Sequence, residues 1–127
     1  MSNWLDAPAT PGDWRYADGA ARFGEAGGEP RFTLRCEAPA RTIVLSRAGQ
    51  PSGAPRMTVR TESQTRTLSA TTLSSALPAV ESRLPASDRL LDAMALSKGR
   101  FAVEVPGTPT LYLPSWAEVT RVIEDCR

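Results

Sequence analysis

Hydrophobic and polar residues alternate at every second position over much of this chain, a period that predicts β-strands. The clearest case is "RFTLRCE", where Phe32, Leu34 and Cys36 share one face while Arg31, Thr33, Arg35 and Glu37 share the other. Before it, Trp14 to Ala17 and Ala21 to Glu25 flank Asp18-Gly19, a pair suited to the positive φ values of a tight hairpin turn. After it, "RTIVLSR" follows the short connection Ala38-Pro39-Ala40 and predicts an antiparallel neighbour. Met57, Val59 and Thr61 alternate next, and Leu68 sits among Thr and Ser, a composition that favours strand over helix. Pro78 and Pro85 then leave room for only a short edge strand around Val80. Phe101, Val103 and Val105 alternate, Pro106-Gly107 turns, and Leu111 and Leu113 return.

The period changes twice, late in the chain. In "SDRLLDAMALSKG", Leu90, Leu91, Met94 and Ala95 fall on one side of a helix near 88–98, with Ser87 as its cap and Gly99 as its stop. In "SWAEVTRVIEDCR", Ser115 and Glu118 form a capping box, and Trp116, Val119, Ile123 and Cys126 recur on one face of a helix near 116–126. Residues 1–13 have two prolines and no period, and read as an extended N-terminal arm with Trp4 and Leu5 tucked against the body. Residues 14–127 read as one domain. The expected fold class is α+β, mostly β: a small antiparallel sandwich or partly open barrel with two short helices in the C-terminal third.

Composition narrows the chemistry. With 15 basic and 14 acidic residues the net charge is only +1, which argues against a nucleic-acid binder. Histidine is absent, so Ser-His-Asp and Cys-His nucleophile arrangements and imidazole metal sites are excluded. No phosphate-cradling glycine pattern occurs, and no CxxC spacing, so neither a cofactor nor a metal is expected. No apolar run approaches the roughly 20 residues that span a bilayer. No leader pattern precedes Trp4, so the chain is expected to be cytosolic or a mature exported domain behind a new Met.

The two cysteines, Cys36 and Cys126, are placed inward by independent periods, one of a strand and one of a helix. They are either joined, closing a loop of about 90 residues, or are simply two small buried hydrophobes. The even count favours the bridge, which would put the protein in the periplasm or outside the cell; cytoplasmic residence is the alternative. Neither is a catalytic thiol candidate, because Glu124, Asp125 and a helix C-terminus raise the pKa of a thiol at Cys126.

Among the arginines of the strand-rich middle, Arg35, Arg41, Arg60 and Arg66 are the candidates for a cationic face that would meet an anionic partner. The competing and preferred reading is a set of solvated strand faces with partners such as Glu37 and Glu62. The carboxylates Asp88, Asp92, Glu104, Glu118, Glu124 and Asp125 fall at caps or opposite apolar stripes, so a general acid–base pair ranks low. Ser97-Lys98 lacks the spacing of a Ser-Lys pair. Trp14, Tyr16 and Trp116 read as core pieces, whereas Tyr112 alternates outward.

"PGDWRY", "RFTLRCE" and a closing hairpin that feeds a helix ending in Cys together resemble uncharacterised exported proteins of alphaproteobacteria. More distantly, the chain is similar to the invasion-associated locus B type of periplasmic domain, on Gly12, Asp13, Trp14 and Cys36 and on the pattern of Phe101 to Cys126. The resemblance implies an exported antiparallel β domain with no established enzymatic activity, and it carries over no catalytic residue. The expected function is therefore a non-catalytic interaction or structural module of the periplasm, partnered by an envelope protein or an anionic surface. A small-molecule or lipid-binding open barrel is the alternative, and a carboxylate-based hydrolase the third reading.

Overall fold

The computed structural model describes residues 4–127; the first three residues of the arm expected over 1–13 lie outside the described residues. A single 3₁₀ turn, Trp4–Asp6, leads into β1 (Asp13–Ala17), β2 (Ala20–Gly24), β3 (Phe32–Glu37) and β4 (Thr42–Ala48). Then come β5 (Arg56–Arg60), β6 (Thr65–Ser69), β7 (Thr71–Leu73) and β8 (Ala79–Pro85). The chain ends with α1 (Arg89–Leu96), β9 (Arg100–Glu104), β10 (Leu111–Pro114) and α2 (Ala117–Cys126). The strands form two antiparallel sheets, a six-stranded one ordered β1-β2-β3-β4-β8-β7 and a four-stranded one ordered β10-β9-β5-β6. The described residues are thus mostly β, with two α-helices and no closed barrel.

The alternation of the sequence is what orients these strands. In the six-stranded sheet Phe23 opposes Phe32 and Leu34 opposes Leu45, so their apolar faces form one continuous inner surface. Met57, Val59, Phe101, Val103, Leu111 and Leu113 supply the facing layer. Between the layers, Trp14 lies 5.4 Å from Phe23, 6.3 Å from Phe32 and 6.5 Å from Phe101 (ring centroids), and the first two contacts are edge-on. The indole Nε1 donates to the Pro114 carbonyl at 2.7 Å, so the one polar atom of this ring is satisfied.

The sheets meet at both lateral margins. On one side the chain passes from β6 to β7 through Ala70, changing sheets, and the Ser82 hydroxyl of β8 donates to the Ser69 carbonyl at 2.9 Å. On the other, the Thr10 N–H donates to the Tyr112 carbonyl at 3.1 Å and the Tyr112 N–H donates to Thr10 Oγ1 at 2.8 Å. The arm therefore covers the β10 edge, which would otherwise offer free backbone groups to another strand. Trp4 and Leu5 are half-buried there, and the Arg100 guanidinium donates to the Ala7 carbonyl. Gly12, at φ 135°, makes the passage from arm to β1: a Cβ on it would stand 2.7 Å from the backbone carbonyl of Gly24.

Four local expectations are corrected. The strand around Val80 is no short edge; β8 has seven residues and lies between β4 and β7. Pro78 precedes it and Pro85 is its last residue, so neither proline removes an interior ladder bond. The cap of α1 is Asp88, whose carboxylate accepts from the Leu90 N–H at 2.8 Å, rather than Ser87. The Ser115 hydroxyl is spent on the Met94 carbonyl at 2.9 Å, and α2 starts from Trp116 with no side-chain cap. Trp116 itself has extended φ and ψ, falls outside the helical period and is 43% exposed, so the buried stripe of α2 is Val119, Val122, Ile123 and Cys126.

Candidate functional site

Cys36 and Cys126 are joined, with S–S 2.11 Å and Cα–Cα 5.6 Å across a sequence separation of 90. Strand alternation turns Cys36 to the inner face of β3, and the stripe of α2 delivers Cys126, 3% exposed, to the same place. Polar contacts surround this tie. The Tyr16 hydroxyl donates to Asp125 Oδ2 at 2.8 Å, and the Arg121 guanidinium lies 4.2 Å from the Tyr16 ring centroid. Asp125, first through that hydrogen bond, pushes the Tyr16 phenol above its ordinary pKa. Arg127 donates from Nε to the Ala86 carbonyl at 2.7 Å and pairs with Asp92 at 2.8 Å. The terminal helix is thus fastened to both β1 and the start of α1.

The four arginines singled out for an anionic partner do not lie side by side. Arg35 is on β3 of the six-stranded sheet, where it pairs with Glu37 at 3.3 Å and Glu81 at 3.7 Å. Arg60 is on β5 of the other sheet and pairs with Glu104 at 3.0 Å. Arg66, on β6, pairs with Asp88 at 2.7 Å. Arg41 lies in the turn between β3 and β4 at φ 53°, exposed and without an ion pair among the described residues. Arg83, across β4 from Arg35, completes the outer-face network by contacting Glu37 at 3.3 Å and Glu81 at 3.7 Å. Those guanidiniums hold the Glu37 carboxyl below its usual pKa, Arg83 contributing first and Arg35 second. Three of the four candidates thus carry local countercharge, while Glu62 makes no ion pair to any of them.

Five of the six candidate carboxylates face arginines in the same way; Glu118 makes no ion pair among the described residues. Glu104 and Asp88 face Arg60 and Arg66, Asp92 and Glu124 face Arg127, and Asp125 faces Arg121 and Tyr16. Asp88 is the most instructive. Burial raises its pKa, but the Arg66 hydrogen bond and the Leu90 N–H lower it by more, and the carboxyl ends below its ordinary value. A depressed folded-state pKa adds stability that is present above the unfolded-state value and is lost as pH falls through the folded one. Asp88→Ala is therefore expected to cost about 1 kcal/mol in urea unfolding at neutral pH. The gap from wild type should close as the solution is acidified through the carboxylate range.

Ser97 is structural: its hydroxyl donates to the Arg100 carbonyl at 2.6 Å and accepts the Glu62 N–H at 3.0 Å. Among the described residues no group of three or more His, Cys, Asp or Glu could hold a metal ion, and no helix is long and apolar enough to cross a membrane.

Two buried charges, Arg47 and Glu81, escaped the sequence reading. Arg47 is 4% exposed and directed between the sheets at one end. The Arg47 guanidinium donates to the Ala48 carbonyl and, from Nη2 at 2.6 Å, to the Pro109 carbonyl, which ties β4 to the β9–β10 loop; Nε has no hydrogen-bond partner among the described residues. Burial first, and the charge of Arg31 second, pull its pKa down to about 10. The signal was present, since Arg47 continues the inward alternation of Ile43 and Leu45.

Open clefts lie on the surface. One of about 520 Å³ separates α1 from the β5–β6 turn, lined by Glu62, Gln64, Arg89, Asp92, Leu96 and Ser97. Two others adjoin on the outer face of the six-stranded sheet, of about 260 Å³ by Arg15 and Arg22 and about 350 Å³ by Leu77 and Pro78. No protein-family model matches the chain, and neither the curated proteins nor the solved structures contain a match to it.

Proposed function

We propose that this chain is an exported, non-catalytic interaction or structural module that works in an oxidising compartment such as the periplasm. The observation that carries the reading is the Cys36–Cys126 bond, because such bonds persist where thiols are not kept reduced. Two features support the non-catalytic part. Glu104, Asp88 and Asp92, which would serve as general acid or base, are each paired with an arginine, and the Asp88 carboxyl is held below its ordinary pKa. The space between the sheets, where an open barrel would hold a small molecule or lipid, is occupied by Trp14, Phe23, Phe32 and Phe101. The resemblance of Gly12, Asp13, Trp14 and Cys36 to exported domains points the same way: Gly12 makes the passage from the arm, Trp14 fills the core and Cys36 holds the disulfide. Fractionation of the cells that make the protein tests this reading. The chain is expected in the periplasmic or secreted fraction, cross-linkable there to an envelope protein; recovery in the cytosol contradicts it.

A further inference from the structure

We propose that the outer face of β1–β4 is the docking surface of this module, and that its partner is an extended protein segment with an acidic side chain at one end and an apolar one four residues away. The proposal rests on the interaction-module reading and gives its partner a chemistry. Arg15 and Arg22 are directly opposite each other on β1 and β2, both exposed, and among the described residues neither approaches a carboxylate within ion-pair distance. Like charges directly opposite on an antiparallel pair destabilise it. On the same sheet Arg35 and Arg83 are each neutralised by Glu37 and Glu81, so the face divides into a compensated half and an uncompensated one.

The uncompensated arginines line one cleft, and it shares Pro30 with the neighbouring apolar cleft of Ala48, Leu77, Pro78 and Ala79. Leu77 is 62% exposed beside it. Register places Arg15, Arg22, Thr33 and Ser46 in one row across four strands, so the floor between the two clefts is continuous and polar. Glu25 and Glu29 border the two clefts, one each, and pair with neither arginine. They set a limit on how acidic a partner is accepted.

Dimensions select the occupant. Three inter-strand steps from β1 to β4 cover about 14 Å, which an extended segment spans in about four residues. Residues i and i+4 of such a segment point to the same side, so one acid reaches the arginines while one apolar side chain enters the Leu77 cleft. A lipid tail would need a channel that buries most of its surface, whereas these clefts are shallow and open to solvent. Thr33 and Ser46 between them offer hydroxyls to the backbone of the segment.

The test is selection of a random dodecapeptide display library on the immobilised full-length protein. Enriched peptides are expected to carry Asp or Glu four residues from Leu, Ile, Val or Phe. Their affinity should fall by about tenfold or more on Arg22→Glu, the loss expected when a charge-assisted hydrogen bond is replaced by repulsion, and should fall also on Leu77→Ser. Both residues are surface positions, and unchanged circular dichroism of the variants controls for folding. No enrichment, or peptides that bind wild type and both variants equally, overturns the proposal. Arg22-dependent binding to phosphatidylglycerol vesicles without peptide enrichment overturns it in favour of a lipid surface. An envelope partner retained equally by wild type and Arg22→Glu removes this site while leaving the interaction module standing.

Discussion

Breaking the Cys36–Cys126 bond, by reduction or by replacing both cysteines with serine, is expected to destabilise the protein by about 4 kcal/mol, at the upper end of what chain entropy allows. The size follows from the sequence separation of 90, since a loop that long leaves the unfolded chain a large gain in freedom when it is opened. Against a domain stability of about 5–15 kcal/mol this is a large fraction, and a fall in Tm of roughly 15 °C corresponds to it. Residual structure in the reduced unfolded state reduces the figure. The loss should also be uneven. With about three turns, α2 is too short to persist by itself, and without the bond it keeps only its buried stripe and the side-chain contacts of Tyr16, Arg121 and Arg127. Urea unfolding of oxidised and reduced protein measures the global loss, and hydrogen exchange across 117–126 measures the local one. Equal midpoints and unchanged protection would contradict both.

Trp14→Ala should be comparably severe, costing about 3–5 kcal/mol. The indole is 3% exposed and stands between Phe23 and Phe32 of one sheet and Phe101 of the other, so its removal opens a cavity that neither sheet can fill without sliding. The same change deletes the donor to the Pro114 carbonyl, a direct bond between β1 and β10. Trp14→Phe separates these effects: it retains most of the apolar volume and should lose only about 1 kcal/mol with the hydrogen bond and residual void. The comparison is read from denaturant midpoints at constant m-value. A Trp14→Ala variant within 1 kcal/mol of wild type, on the scale of an ordinary surface change, would mean that the ring does not bridge the sheets.

Periodicity made much of this architecture legible. Phe32, Leu34 and Cys36 alternate cleanly, so β3 and its inward face could be read from residue order, as could the Asp18-Gly19 hairpin and the Pro106-Gly107 turn. The inward aim of Cys36 and Cys126 followed from two local periods that need no knowledge of the rest of the chain. What escaped depended on long-range pairing or on local competition. Strand β8 looked like a weak edge because two prolines bracket it, yet pairing with β4 over Thr42–Ala48 makes it central. Asp88 took the cap of α1 from Ser87 because Arg66, far away in sequence, holds its other carboxylate oxygen. Ser115 has the composition of a cap, but the Met94 carbonyl of α1 claims its hydroxyl. A common face of Arg35, Arg60 and Arg66 assumed that successive strands are neighbours, whereas the link between β4 and β5 crosses from one sheet to the other. The exposed pair Arg15–Arg22 was locally available through the hairpin register, but its isolation from carboxylates was not.

The most direct test of the account is the state of Cys36 and Cys126 in living cells, trapped with a membrane-permeant alkylating agent before lysis and read by mass spectrometry. Unmodified cysteines that accept label only after reduction are expected, recovered as a single cross-linked peptide joining β3 to α2. Two alkylated thiols in otherwise intact cells would contradict it, because a terminal helix held only by side-chain contacts and a reducing surrounding leave no ground for an exported, stapled module.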